Sequence, residues 1–240
     1  MKRLLYTILF TSLFCLTSCN SKYDNNNEAV EIEFLTSEGS FKIFLFNETP
    51  KHKENFIELA ETNFYDSVLF HRVIKNFVIQ AGDPSTKTPE AKKLYGEESY
   101  GENIPAEISP KFNHIRGAVG AAREGDDINP DKLSSGSHFY VVLGGNDVSD
   151  EDVFMAETRL KNKIDETVAK KYKEQGGTPH LDGNYTVFGY ISEGMDVVDK
   201  ISAFKTDRNN RPTEDIKILG TKINILTETE KNEKYINYAK

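Results

Sequence analysis

Apolar and polar residues alternate strictly through Val30-Glu31-Ile32-Glu33-Phe34, the period of a strand with one buried face. Ser37-Glu38-Gly39-Ser40 reads as a turn, and Phe41-Lys42-Ile43-Phe44-Leu45-Phe46 as a second strand, so the two predict a hairpin. Thr49 is placed to cap a helix with Pro50 at its first position, and Phe56, Leu59 and Ala60 mark its buried stripe. Residues 70–83 read as one further strand, with Phe77, Ile79 and Ala81 on one face and Val78, Gln80 and Gly82 on the other. A long loop from Pro84 to about Asn113 follows. More strands are expected at 117–122, 138–143, 186–191 and 216–226, with a short helix at 195–201.

Between about residues 149 and 177 the period changes. Ser149 and Asp152 match a capping box. Val153, Ala156, Leu160, Ile164, Val168 and Tyr172 then recur at three- and four-residue spacing, and Gly176-Gly177 supplies a stop. The pattern predicts one inserted amphipathic helix. The tail 227–240 is polar. Many short strands with separated helices indicate a mainly β domain, an antiparallel barrel or a sandwich, and periodicity does not choose between them.

The N-terminus changes the picture. Lys2 and Arg3 precede an apolar run from Leu4 to Leu16, too short to span a bilayer and the right length for a signal-peptide core. It closes with Leu16-Thr17-Ser18-Cys19, which resembles a bacterial lipobox. That resemblance implies cleavage of the signal 1–18 and acylation of Cys19, several chains giving stable anchoring. An ordinary signal peptide with a chance cysteine is the alternative. From Cys19 to residue 29 the chain is polar and asparagine-rich and reads as a flexible tether. Its destination would be extracytoplasmic, on a bacterial membrane.

The only other cysteine, Cys15, lies in the signal, so the mature chain has no disulfide, no cysteine nucleophile and no thiolate metal site. Loss of Lys2 and Arg3 takes the net charge from −8 to −10, which makes nucleic acid an unsuitable partner. His52, His71, His114, His138 and His180 show no metal-ligand spacing, and no cofactor is expected.

Candidate chemistry concentrates in Phe70-His71-Arg72-Val73-Ile74-Lys75-Asn76-Phe77-Val78-Ile79-Gln80-Ala81-Gly82-Asp83: a long cation, an apolar platform and a neutral amide, with no nucleophile beside them. The segment resembles the signature of the cyclophilin-type peptidyl-prolyl isomerases, FHRxIxxFxxQGGD, with Ala81 in place of the first glycine. Gly117–Arg123, Ser135-Gly136-Ser137-His138-Phe139-Tyr140-Val141 and Leu181–Gly189 resemble further motifs of that family, in its order.

The resemblance covers about residues 30–226 and implies a closed eight-stranded barrel capped by two helices, with the helical insertion as an addition. It implies catalysis of Xaa–Pro rotation by a monomer acting on unfolded or flexible polypeptides. Arg72 and Gln80 would be catalytic. Phe77, Val78, Tyr140 and Leu181 would hold the proline ring, the backbone at Ala122 and Arg123 the residue before it, and His138, His180 and Tyr185 the rim. The insertion is expected to dock beside this groove. Departures from the family pattern lie at the rim: His138 for glutamine, with a charge change expected near neutrality, Tyr140 for phenylalanine, with a hydroxyl that needs a partner, Arg123 for asparagine, His180 for tryptophan and Tyr185 for histidine. Phe188 could be core or pocket. The rival readings are a cyclophilin-fold peptide-binding module or holdase with little catalysis, and an adhesin using the barrel as scaffold.

Overall fold

The two N-terminal alternating segments pair as expected. Strands β1 (Ala29–Thr36) and β2 (Gly39–Leu45) form an antiparallel hairpin with Glu31 opposite Phe44. The computed structural model describes residues 28–90, 93–145 and 147–239. The signal, Cys19 and all but the end of the tether lie outside these residues. Ala29, assigned to the tether from sequence, already belongs to β1.

Six more strands follow: β3 (Arg72–Ile74), β4 (Val78–Ala81), β5 (Ala118–Ala121), β6 (Phe139–Val142), β7 (Val187–Glu193) and β8 (Ile218–Leu226). They make one curled antiparallel sheet in the order β3-β4-β6-β5-β7-β2-β1-β8. The expected ring of strands is not complete, because β3 and β8 are its two edges. Across the seam the chain ahead of β3 meets the chain ahead of β8 through the Leu69–Lys217 bridge, with Phe70 N donating to Ile216 O at 3.0 Å and Ile218 N to Val68 O at 2.9 Å.

Side chains alternate between two apolar clusters. Phe34, Phe41, Ile43, Ile79, Phe139 and Phe188 belong to one, which also takes Phe56 and Leu59 from α1 (Pro50–Glu61) and Val198 and Ile201 from α4 (Met195–Ser202). Phe188 is therefore core. The alternate residues Phe44, Val78, Tyr140, Val142 and Tyr190 join the other cluster, beneath α2 (Asp150–Leu160), α3 (Glu166–Gln175) and α5 (Glu228–Ala239). Burial on both faces explains why the strands read as nearly continuous apolar runs such as Phe139-Tyr140-Val141-Val142.

Three expectations change, and the polar tail, given no element from sequence, takes one. The strand at 70–83 is the hairpin β3–β4, turned at Asn76 in the left-handed region (φ 61°), with Phe77 N donating to Ile74 O. Phe77 therefore leaves the face of Ile79 and Ala81. The insertion is two helices, broken where Lys161 takes φ 51° and restarted by the Asp165 carboxylate accepting from Thr167 N. The Ser149–Asp152 capping box is present. The polar tail is helical: Thr227 and Glu230 form a reciprocal cap, and Tyr238 is buried against Phe46 and Phe112. Thr49 does not cap α1, since its hydroxyl donates to Phe46 O; the Glu107 carboxylate accepts from Lys51 N and His52 N instead. No helix among the described residues is long and apolar enough to cross a membrane.

Candidate active site

The register of β3 on β4 sets Arg72 opposite Gln80. Arg72 Nη1 donates to Gln80 Oε1 at 3.2 Å, and the guanidinium lies 5.9 Å from the Phe77 ring centroid. Burial lowers the Arg72 pKa and the nearby Tyr185 raises it, but an arginine keeps its charge in any such setting. β4 pairs next with β6, which puts Gln80 opposite Tyr140. One hairpin and one ladder thus assemble a cation, an amide and an aromatic wall.

A cavity of about 170 Å³ opens here, lined by Arg72, Phe77, Val78, Gln80, Ala122, Arg123, Tyr140, Leu181 and Tyr185. Nine of the expected site residues come together in it. The other two do not: His138 lines an adjoining cavity, and His180 stacks on Phe77, with centroids 5.5 Å apart and planes inclined by 20°. Its ring is held below its usual pKa by burial and then by neighbouring His114 and Arg159. His138 is likewise lowered by burial, against the opposing pull of Asp83, so its charge change moves away from neutrality to more acid pH. His71 goes further, to about 3, through burial and then His138. It is a neutral scaffold residue at pH 7.

The walls are fixed from behind. The hydroxyl of Tyr140 does find a partner, His114 Nε2 at 2.9 Å. His114 Nδ1 in turn lies 2.7 Å from Asp182 Oδ1, which selects the tautomer with Nδ1–H donating and Nε2 accepting from the phenol. Asp182 also accepts from His114 N at 2.8 Å, Asn113 Nδ2 at 3.0 Å and Tyr172 Oη at 2.7 Å. Tyr172 comes from α3, so the insertion is bonded into the support of the pocket. Gly120 leaves the room that the phenol needs, because a Cβ there would overlap Tyr140 Cζ and Oη. The need for a partner for Tyr140 was legible in the sequence, but its identity was not, since His114 lies 26 residues upstream.

Ala122 N donates to His138 O and Ala122 O accepts from Ser135 N, so the strand continuation is rigid up to Arg123. The Arg123 side chain is tied to the scaffold: Nε donates to Asn184 O at 2.8 Å, Nη2 pairs with Asp126 at 2.7 Å, and the guanidinium covers the Tyr185 ring at 4.6 Å. The insertion reaches this region through α2, whose Arg159 Nη2 donates to Pro179 O at 2.8 Å, next to His180 and Leu181. Among the described residues no group of three or more His, Cys, Asp or Glu is arranged to hold a metal ion.

Comparison with known proteins agrees with this geometry. Residues 30–223 match the family described as cyclophilin type peptidyl-prolyl cis-trans isomerase/CLD. A Staphylococcus saprophyticus relative named as a peptidyl-prolyl cis-trans isomerase is 35% identical over 199 residues, 81% of this chain and 91% of its own. Peptidyl-prolyl cis-trans isomerase-like 1 of Aspergillus fumigatus is 32% identical over 197 residues, 81% of this chain and 96% of its own. Among solved structures, a Cryptosporidium parvum cyclophilin type peptidyl-prolyl cis-trans isomerase superposes with a TM-score of 0.59 at 23% identity, over 83% of this chain and 99% of its own, a likeness of fold.

Proposed function

The chain belongs to the cyclophilin-type peptidyl-prolyl cis-trans isomerase family, and from that premise we propose that Arg72 and Gln80 are its catalytic pair, acting on prolyl bonds of flexible or unfolded exported polypeptides. The observation that carries this is the Arg72–Gln80 pair set by the hairpin register at the mouth of an apolar pocket.

The reaction is rotation about the bond before proline, whose barrier is roughly 18–20 kcal/mol. At 20 kcal/mol the rate is about one event per hundred seconds, so turnover at ~10³ per second needs about seven kcal/mol of transition-state stabilisation. No bond is made or broken, and no proton needs to leave. Twisting ends the amide resonance and returns a lone pair to the imide nitrogen. A donor aimed at that nitrogen stabilises the twisted state more than the planar one, and this differential is what accelerates the step. Arg72 is that donor. Gln80 steadies the guanidinium and holds the substrate carbonyl. Phe77, Val78, Tyr140 and Leu181 grip the ring so that twisting falls on the far side of the bond. Turnover of a short Ala-Pro peptide in a coupled isomerisation assay tests the reading, and a protein without measurable turnover would sink it.

The rim predicts an unusual inhibitor profile. Cyclosporin is bound strongly by family members that carry tryptophan where His180 stands, and this chain has no tryptophan. Replacing an indole by an imidazole removes on the order of 60–100 Å² of apolar contact, about 1.5–2.5 kcal/mol at roughly 25 cal/mol per Å². A lost hydrogen bond adds about one more. Inhibition is therefore expected about two decades weaker, in the micromolar range, and partly restored by His180→Trp. Nanomolar inhibition of the unmodified protein would contradict this.

Lipid anchoring at Cys19, a monomeric state and an extracytoplasmic location on a bacterial membrane complete the proposal, supported by the lipobox-like Leu16–Cys19 and by Cys19 being the sole mature thiol. Cys19→Ala is expected to abolish fatty-acid labelling and to release the protein from membranes. Intact-mass analysis of membrane-derived protein with no lipid on Cys19 would refute the anchor.

A further inference from the structure

The helix α5 (Glu228–Ala239) begins beyond residue 223, where the match to the family ends. Its Tyr238 nevertheless enters the apolar cluster that backs the proline pocket. The ring stands edge-on to Phe46, with centroids 4.9 Å apart, and lies beside Tyr190 at 5.3 Å and Phe112 at 6.1 Å. A hydroxyl among such neighbours is costly to bury unless it is bonded. Both of its bonds fall on one residue: it accepts from Asn113 N at 3.0 Å and donates to Asn113 O at 3.1 Å. From the other side, Lys171 Nζ of α3 donates to Tyr238 O.

Asn113 carries the contact onward. Its Nδ2 donates to Asp182 Oδ2 at 3.0 Å, and Asp182 Oδ1 holds the ring of His114, which accepts from the Tyr140 phenol. Tyr140 is a wall of the proline pocket. Tyr238, Asn113, Asp182, His114 and Tyr140 therefore form one unbroken chain, every member of it buried. With both main-chain groups of Asn113 held by one hydroxyl, its short side chain has little freedom, and the amide stays aimed at Asp182. Linked hydrogen bonds of this kind, out of reach of water, act as a unit.

We propose that Tyr238 is a positioning residue for the isomerase: through Asn113, Asp182 and His114 it sets the place of Tyr140, so that α5 governs how firmly the pocket holds the proline ring. The inference rests on the isomerase reading and adds to that site a residue from the far end of the chain. Tyr140 grips the ring in the planar and the twisted state alike. A looser wall therefore reads as weaker binding of substrate, not as slower rotation.

Tyr238→Phe keeps the ring among Phe46, Phe112 and Tyr190 and removes only the hydroxyl. In the coupled isomerisation assay on a short Ala-Pro peptide, its KM is expected to rise on the order of fivefold, the weight of one hydrogen bond, with kcat nearly unchanged. A merely structural role has the opposite signature, since a smaller folded fraction lowers the apparent kcat and leaves KM alone. Amide hydrogen exchange at His114, whose N–H Asp182 accepts at 2.8 Å, should quicken in the same variant. Asn113→Ala cuts the next link and should also raise KM. The double variant should then match Asn113→Ala alone, because both changes act along one path. An unchanged KM or an unchanged His114 exchange in Tyr238→Phe, or KM increases that multiply in the double variant, overturns the inference while leaving the isomerase reading in place. No turnover by the unmodified protein would overturn the isomerase reading and this one with it.

Discussion

Arg72→Ala is expected to lower kcat/KM by a hundredfold or more, equivalent to about 2.7 kcal/mol or greater of lost transition-state stabilisation. The direction follows from the chemistry: the charged donor paired with Gln80 at the pocket mouth is removed, while the apolar grip on the ring stays. The fold should survive, because Arg72 is half-buried and its side chain makes one hydrogen bond, to Gln80. KM should move less than kcat, since the lost interaction forms mainly in the twisted state. Arg72→Lys is a sharper control. A lysine restores the charge but not the planar fork, so it should recover little of the loss. Wild-type activity in Arg72→Ala, with unchanged circular dichroism, would remove the mechanism.

Asp182→Ala should be among the most destabilising substitutions in the domain, at about 3–5 kcal/mol. The carboxylate is buried and accepts from the Asn113 amide, the His114 backbone and ring, and the Tyr172 hydroxyl. Deleting it strands these donors where water does not reach them. Burial alone would raise the Asp182 pKa, but hydrogen bonding and attraction from His114, then the Tyr172 hydroxyl, hold it below the ordinary carboxylate value. A carboxyl depressed in the folded state contributes stability that is present above its unfolded pKa of roughly 3.9 and is lost as pH falls through the lower folded value. The wild type should therefore lose stability in acid below about pH 4 more steeply than Asp182→Ala. Denaturant titrations at pH 7 and pH 3 measure both. A destabilisation below about 1 kcal/mol at pH 7 would show that the network does not support the pocket.

Strands were legible where alternation is clean, as in β1 and β2, and where runs are apolar throughout, as in β6. The β3–β4 turn escaped notice because Lys75-Asn76 contains neither glycine nor proline, and an asparagine supplies the positive φ. The break between α2 and α3 was hidden because Leu160 and Ile164 keep the helical period across it, although Asp165 is a visible N-cap. The α5 start was legible in Thr227 and Glu230, and among its described side chains Tyr238 is a buried anchor. For the site, a linear motif located Arg72, Phe77 and Gln80. The His114–Asp182 support that backs its wall is joined to it only by the fold.

The contact between Gly120 and Tyr140 also bears on how the sequence can drift. With the phenol present, position 120 tolerates no side chain, so a mutation there is lethal to packing until residue 140 has become smaller. Losing the hydroxyl alone orphans the His114 acceptor and still leaves ring atoms Cζ and Cε2 overlapping a Cβ at 120, so only loss of the ring opens the position. Divergence at these two sites therefore has a preferred order, and descendants that carry a side chain at 120 should have given up the tyrosine beforehand.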